Sequence, residues 1–393
     1  MLRMKLFAGL TIVTLAIADA EWTQAQTDLP PGARVRLGTL NFHAGGMVAS
    51  LAFAPDGKTI IWQGADYTVR HWDLSTAKEL NRFVGDDWWS QDRPEHFSIL
   101  HVIDNNSLLH TAANGLAMLD LKTGKERVVT ELARGKPSWI SPDGKRVVTY
   151  SQQGSWSKRT AAATFTLWDL ERSEKVREFM HSFKDAPAKA GAGARLAAVA
   201  FTPDGKTLAT SWVYLGHGPM LTYRVGQAIC LWDVDSGKER TLDAEAAYHL
   251  HFLDEGKTLA CADGRRAGAA RSPADSNHGT MEIWDVAAGK KLHKFQSSVD
   301  WSGPLAFSPK GKLFASGGGD EDKAVYVWRT ATGEQIKRFA GHRKMVQRLA
   351  FSPDGNMLAS GSEDTFFEKK DNTKVNPQMI GESILVWEVL GLR

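Results

Sequence analysis

One phrase recurs along the chain and constrains its fold more than any other feature. It runs as an apolar strand, a Pro-Asp-Gly-Lys turn, a second strand, a loop, and a third strand ending in Trp-Asp. The turn is written at Pro55-Asp56-Gly57-Lys58, Pro142-Asp143-Gly144-Lys145 and Pro203-Asp204-Gly205-Lys206. It is varied at Pro309-Lys310-Gly311-Lys312 and Pro353-Asp354-Gly355-Asn356, with Asp254-Glu255-Gly256-Lys257 as a weaker copy. The third strand ends at Trp72-Asp73, Trp168-Asp169, Trp232-Asp233, Trp284-Asp285, Trp328-Arg329 and Trp387-Glu388. A seventh, degenerate unit falls where the spacing requires one: Ile99 to Ile103 is its first strand, Asp104-Asn105-Asn106 its turn, and Leu119 stands where the others have Trp. After each third strand comes a second turn, such as Asp235-Ser236-Gly237-Lys238. A short fourth strand follows, such as Lys337-Arg338-Phe339.

These residues resemble the WD40 repeat family over roughly Ala33 to Leu392. The resemblance implies an all-β fold, a seven-bladed WD40-type β-propeller of four-stranded antiparallel blades. The physics agrees, because one such sheet cannot bury both of its faces alone and must stack on neighbours. The last unit ends after its third strand, and Arg34 to Leu40 precedes the first complete unit. That N-terminal strand is expected to complete the last blade, closing the ring and removing a free sheet edge. The resemblance also implies a hydrogen-bonded structural set, which in the last unit is His342, Ser360, Asp364 and Trp387. It gives the Trp and Asp residues of the repeat (Trp72, Asp73, Trp168, Asp169, Trp232, Asp233, Trp284, Asp285 and Trp328) a scaffold role.

Ahead of the repeats, residues 1–20 read as a signal peptide. Arg3 and Lys5 form a positive start, Leu6 to Ala18 is apolar, and Ala18-Asp19-Ala20 fits a cleavage site, so cleavage is expected after Ala20. The apolar run is shorter than the roughly 20 residues of a spanning helix, so no stable membrane insertion is expected once the segment is removed. Residues 21–32 then form a short linker and 33–393 the propeller, in the periplasm or secreted. For an exported chain, Cys230 and Cys261 allow one bridge at most, and the repeat places both on inner strands of neighbouring units. Lys plus Arg total 48 against 45 Asp plus Glu, a net +3 too dispersed for binding driven by nucleic-acid phosphates.

Roughly 51 residues per unit exceed the usual 40 to 45 of this repeat, so the excess lies in connections. Four insertions fall between second and third strands, at Ser151 to Ala163, Trp212 to Gln227, Ala262 to Gly279 and Glu363 to Glu382. Two more join units, at Val84 to Phe97 and His181 to Arg195. All six emerge on the face opposite the Pro-Asp-Gly turns. They carry aromatic and Arg residues of the kind enriched at protein interfaces: Trp88, Trp89, Trp156, Arg159, Trp212, Tyr214, Tyr223, Arg224, Arg265, Arg266, Phe366 and Phe367.

No H-E-x-x-H, P-loop, G-x-S-x-G, C-x-x-C or EF-hand loop occurs, so no catalytic residue, metal or cofactor is assigned. The strongest polar intrusion is His249-Leu250-His251 on an innermost strand, with His101 at the matching place in the degenerate unit. A metal there would need further ligands. The expected function is a non-catalytic scaffold, a monomeric ring binding protein partners through its long loops. The alternative is an exported hydrolase or lyase, or a glycan-binding propeller, with its site at the channel mouth.

Overall fold

A computed structural model describes residues 29–37, 48–64, 68–83, 99–112, 115–130, 138–153, 162–183, 193–217, 222–244, 248–263, 279–296, 304–318, 322–365 and 380–389. The signal segment 1–20 and most of the linker 21–32 lie outside them. After β1 (Ala33–Leu37), blade 1 comprises β2 (Val48–Phe53), β3 (Thr59–Gly64), β4 (Val69–Asp73) and β5 (Glu79–Phe83). Blade 2 is β6 (Ile99–Asp104), β7 (Ser107–Ala112), β8 (Gly115–Asp120) and β9 (Glu126–Thr130). Blade 3 is β10 (Ser138–Ile140), β11 (Arg146–Gln153), β12 (Ala162–Asp169) and β13 (Glu174–Ser182). Blade 4 is β14 (Gly193–Phe201), β15 (Thr207–His217), β16 (Thr222–Asp233) and β17 (Glu239–Leu242). Blade 5 is β18 (His249–Leu253), β19 (Thr258–Asp263), β20 (Thr280–Asp285) and β21 (Lys290–Gln296). Blade 6 is β22 (Leu305–Phe307), β23 (Leu313–Gly317), β24 (Val325–Arg329) and β25 (Gln335–Phe339). Blade 7 joins β26 (Val346–Phe351), β27 (Met357–Thr365) and β28 (Ile380–Glu388) to β1.

The fold is therefore an all-β, seven-bladed propeller of four-stranded antiparallel blades, with one short 3-10 turn at Asp254–Gly256 among the described residues. Closure comes from the strand the sequence offered for it. In the antiparallel pair β1–β28, Val35 faces Val386 and Leu37 faces Ile384. All four are buried, in one cluster with Phe53 and Trp62 of blade 1. The third strand of the last blade, β28, is thus paired along both of its edges.

Each sheet buries both faces because side chains alternate along a strand. Leu208, Cys230 and Trp232 of blade 4 pack toward blade 3, while Ala209, Ile229 and Leu231 pack toward blade 5. Among the described residues the core is accordingly seven clusters, one per seam between neighbouring blades. The degenerate unit is a full blade with Leu119, 1% exposed, at the Trp position.

The expected loop bounds are corrected. Residues 212–217 and 222–227, read as loop, continue β15 and β16: Leu215 faces Arg224, Gly216 faces Tyr223 and His217 faces Thr222 across the hairpin. Tryptophan, valine, tyrosine and threonine, all present in these stretches, favour a pleated surface, so the ladder simply runs on. Similarly, β11 and β12 run to Gln153 and from Ala162, and β27 and β28 to Thr365 and from Ile380. At the blade 3 to blade 4 junction, β13 reaches Ser182 and β14 starts at Gly193. As expected, Cys230 and Cys261 lie on inner strands of neighbouring blades, the third strand of blade 4 and the second of blade 5, and both are buried free thiols.

Candidate functional site

The two faces of the ring are built differently. On one face, first and second strands are joined by the Pro-Asp-Gly turns, closed by a repeated network. In blade 3 the Ser141 hydroxyl donates to Asp143 at 2.6 Å and accepts from the Arg146 amide at 2.9 Å. Thr202 and Asp204 do the same in blade 4, where Gly205 takes the left-handed φ of +67° that the turn demands. Hydrogen bonds from Thr202 and the Lys206 amide hold the Asp204 carboxyl below its ordinary range.

The Asp of each Trp-Asp pair serves the second turn on that face. Asp73 accepts from the Ser75 and Thr76 amides at 2.9 and 2.8 Å and from both hydroxyls. Asp169, Asp233 and Asp285 likewise cap the amides of Arg172, Ser236 and Ala288. These donors lower the Asp73 and Asp233 carboxyls, the side-chain hydroxyl contributing most in each. Such carboxylates are committed to turns.

The tryptophans hold neighbouring strands together. Trp168, Trp232, Trp328 and Trp387 donate from Nε1 to Thr149, Thr210, Ser316 and Ser360 at 2.9, 3.0, 2.9 and 2.7 Å. In blade 7 the set extends to His342, whose Nε2 lies 2.6 Å from Ser360 Oγ. Asp364 sits on β27 opposite Gly381, and only its strand register is described. Blade 5 has Cys261 where the hydroxyl would be, and Trp284 donates instead to Glu282 at 3.2 Å. In blade 1 the position is taken by Trp62, with the Arg70 guanidinium 4.7 Å from its ring centroid. Trp72 is buried in the same cluster as Trp62.

On the opposite face the strand ends lead into longer connections, at 84–98, 154–161, 264–279 and 366–379. Trp88, Trp89, Trp156, Arg159, Arg265, Arg266, Phe366 and Phe367 lie outside the described residues. Of Tyr223 and Arg224 only the strand register is described. Trp212 and Tyr214 are not interface side chains: they are 0% and 6% exposed, on β15, in the core between blades 3 and 4. Trp212 stacks on His181 at 5.1 Å and meets Phe183 edge-on at 4.9 Å, with Tyr150 and Phe165 each 5.8 Å away. Their position in an elongated hairpin, and not in a loop, explains this.

A polar group is set into that aromatic seam. His181 Nδ1, from the end of β13, lies 2.7 Å from Glu239 Oε1 on β17 and 3.7 Å from Cys230 Sγ on β16. Burial, together with the Glu239 carboxylate, pushes the Cys230 thiol well up. Burial also acts to raise the Glu239 carboxyl, yet its hydrogen bonds with His181 and Cys230 leave it below its ordinary value. Sequence reasoning missed this group because its members come from three strands of two blades. Among the described residues it is the only set of three donor groups whose ligand atoms converge, all within 4.8 Å. His249 and His251 gather no such set; His251 stacks on Phe307 at 4.6 Å, and burial pushes both histidines down to about 4.

Residues 34–73, 292–329 and 333–366 match the family model of the WD domain, G-beta repeat. The chain carries WD40 repeats. The matched segments cover β1 to β4 and β21 to β27. No curated protein gives a significant match to the chain. WD40 propellers are commonly protein-interaction scaffolds and usually non-enzymatic. No helix among the described residues is long and apolar enough to cross a membrane.

Proposed function

We propose that this WD40 ring is an exported, non-catalytic scaffold that binds protein partners through the face carrying its long connections. It would act in the periplasm or after secretion, with its first 20 residues removed. The observation that carries the reading is the asymmetry of the ring. One face consists of tight turns whose Asp, Ser and Thr side chains are consumed by local hydrogen bonds. The other is fed by extended strands and by connections rich in Trp, Phe and Arg, the residue types that dominate interface energetics. A closed ring also offers a rigid base, so such an interface loses little conformational freedom on binding.

The test is an affinity pull-down from the native envelope fraction, comparing the mature ring with a variant whose 154–161, 264–279 and 366–379 connections are cut to short Gly-Ser turns. The β15–β16 hairpin is left whole because Trp212 and Tyr214 belong to the core. With folding checked by circular dichroism, specific partners captured by the full ring and lost from the trimmed one are expected. Equal capture by both would overturn the reading. N-terminal sequencing of the protein from fractionated cells checks the export step, with Glu21 expected as the first residue.

A further inference from the structure

The seam between blades 3 and 4 holds donor atoms of a kind that a packing core does not require. Cys230 stands two residues before the seam's Trp232. The matching places in the other blades hold Arg70, Ala117, Thr166, Glu282, Tyr326 and Leu385, so the position accepts almost any size or polarity. β13 runs to Ser182 and is longer than the outer strands of the other blades. Phe179 and His181 near its end, and Phe183 just after it, reach into the seam. The His181 ring is clamped between Trp212, stacked at 5.1 Å, and Phe183, edge-on at 4.8 Å. That clamp aims Nδ1 at both Cys230 and Glu239 and leaves Nε2 buried with no partner.

We propose that His181, Cys230 and Glu239 form a binding site for one first-row divalent metal ion of the zinc class, pinning blade 3 to blade 4. The donor set decides the class of ion. A thiolate with an imidazole and one carboxylate suits zinc and its neighbours and is poor for calcium or magnesium, which take oxygen ligands. Bond lengths of about 2.3 Å to sulfur and 2.0 Å to nitrogen, at a tetrahedral angle, place the two donor atoms about 3.6 Å apart. The observed Cys230 to His181 separation is 3.7 Å. The same geometry asks for about 3.3 Å between nitrogen and oxygen. The observed 2.7 Å is a hydrogen bond, and the three donor atoms lie within 4.8 Å of one another, so binding asks the Glu239 carboxylate to leave Nδ1 by about half an ångström and to close toward Cys230 Sγ. Glu239 is free to do this, its side chain being 27% exposed while His181 is 8%.

Charge and protons balance. On binding, the Cys230 S–H bond breaks and its proton leaves to the buffer. The imidazole coordinates as the neutral ring with its proton on Nε2, and Glu239 binds as the carboxylate. Two negative ligands cancel the ion's two positive charges, so the buried seam carries no net charge. The Thr210 and Thr241 hydroxyls act to lower the Cys230 thiol and so support the thiolate from the second layer. The exposed side of Glu239 is the entry path and leaves a fourth position for water.

The experiment titrates Co2+ into the mature, chelator-treated chain, followed by competition with Zn2+. One equivalent is expected to bind with a thiolate-to-cobalt band in the near ultraviolet and with quenching of tryptophan emission from Trp212 and Trp232. The band is expected to vanish in Cys230→Ser and to persist in Cys261→Ser, which alters the other buried thiol. Glu239→Gln should retain the band with affinity weakened at least about tenfold. Absence of a thiolate band in the folded wild-type chain would overturn the proposal, whatever the variants do. So would a band that survives in Cys230→Ser.

Discussion

Blade 3 faces two seams of opposite character. Toward blade 2 it meets a small buried cluster of Leu109, Leu116 and Val147, and Trp168 is only partly buried there. Toward blade 4 it shares Phe165, Phe179, Phe183, Trp212, Tyr214 and Trp232 with ring centroids at about 5 to 6 Å, and the His181 group is set among them. Both seams use the same sheet, so the difference comes from its neighbours. Blade 2 offers this seam only Leu109 and Leu116, its Leu119 at the Trp position packing toward blade 1, whereas blade 4 has the elongated β15–β16 hairpin. A closed ring has no end to fray, so one lean seam can persist where an open stack would lose its terminal repeat.

The sharpest way to break this contrast is to empty the rich seam. Trp212→Ala is expected to cost about 3–5 kcal/mol in urea unfolding, the range for removing a fully buried aromatic. A loss under about 1 kcal/mol would show that the aromatic cluster is not what holds blades 3 and 4. Leu116→Ala tests the lean seam and should cost less, about 2 kcal/mol, because a small cluster can close around the space left behind.

Acid separates the two seams by a smaller effect. His101, on β6 beside the Asp143 turn of blade 3, is held below 6.5 chiefly by burial, which outweighs the raising pull of Asp143. The unfolded chain then takes up a proton at His101 before the folded one does, so stability is complete above pH 6.5 and falls as pH drops below it. His71, His249 and His251 act with the same sign. His101→Gln should reduce the pH slope of unfolding in that window, by up to about 1.4 kcal/mol per pH unit for a full proton. Glu239 has the depressed carboxyl, so its contribution is present above about 4.5 and lost as pH falls further. Glu239→Gln should therefore leave the slope above pH 5 unchanged and alter it only below. A change in the upper window would contradict the assignment.

The sequence carried the ring because the repeat is local: Pro-Asp-Gly turns and Trp-Asp strands recur at short range, and each is read without knowing its neighbours. It also carried closure by β1, since the last unit visibly lacked an outer strand. The hairpin of blade 4 is harder to read: against the repeat its extra length looks like an inserted loop, although Trp212, Val213, Tyr214 and Leu215 alternate as a strand does. The His181 group was invisible for a different reason. It joins β13, β16 and β17 across a seam, and no spacing in one chain segment encodes that meeting.

The central structural claim, a closed ring with one lean and one rich seam, is tested most directly by native-state hydrogen exchange of the mature chain, resolved strand by strand. The strands of blade 2 and β10 are expected to open first, with β12, β15 and β16 protected up to global unfolding. Uniform protection around the ring, or first opening at β15 and β16, would contradict it.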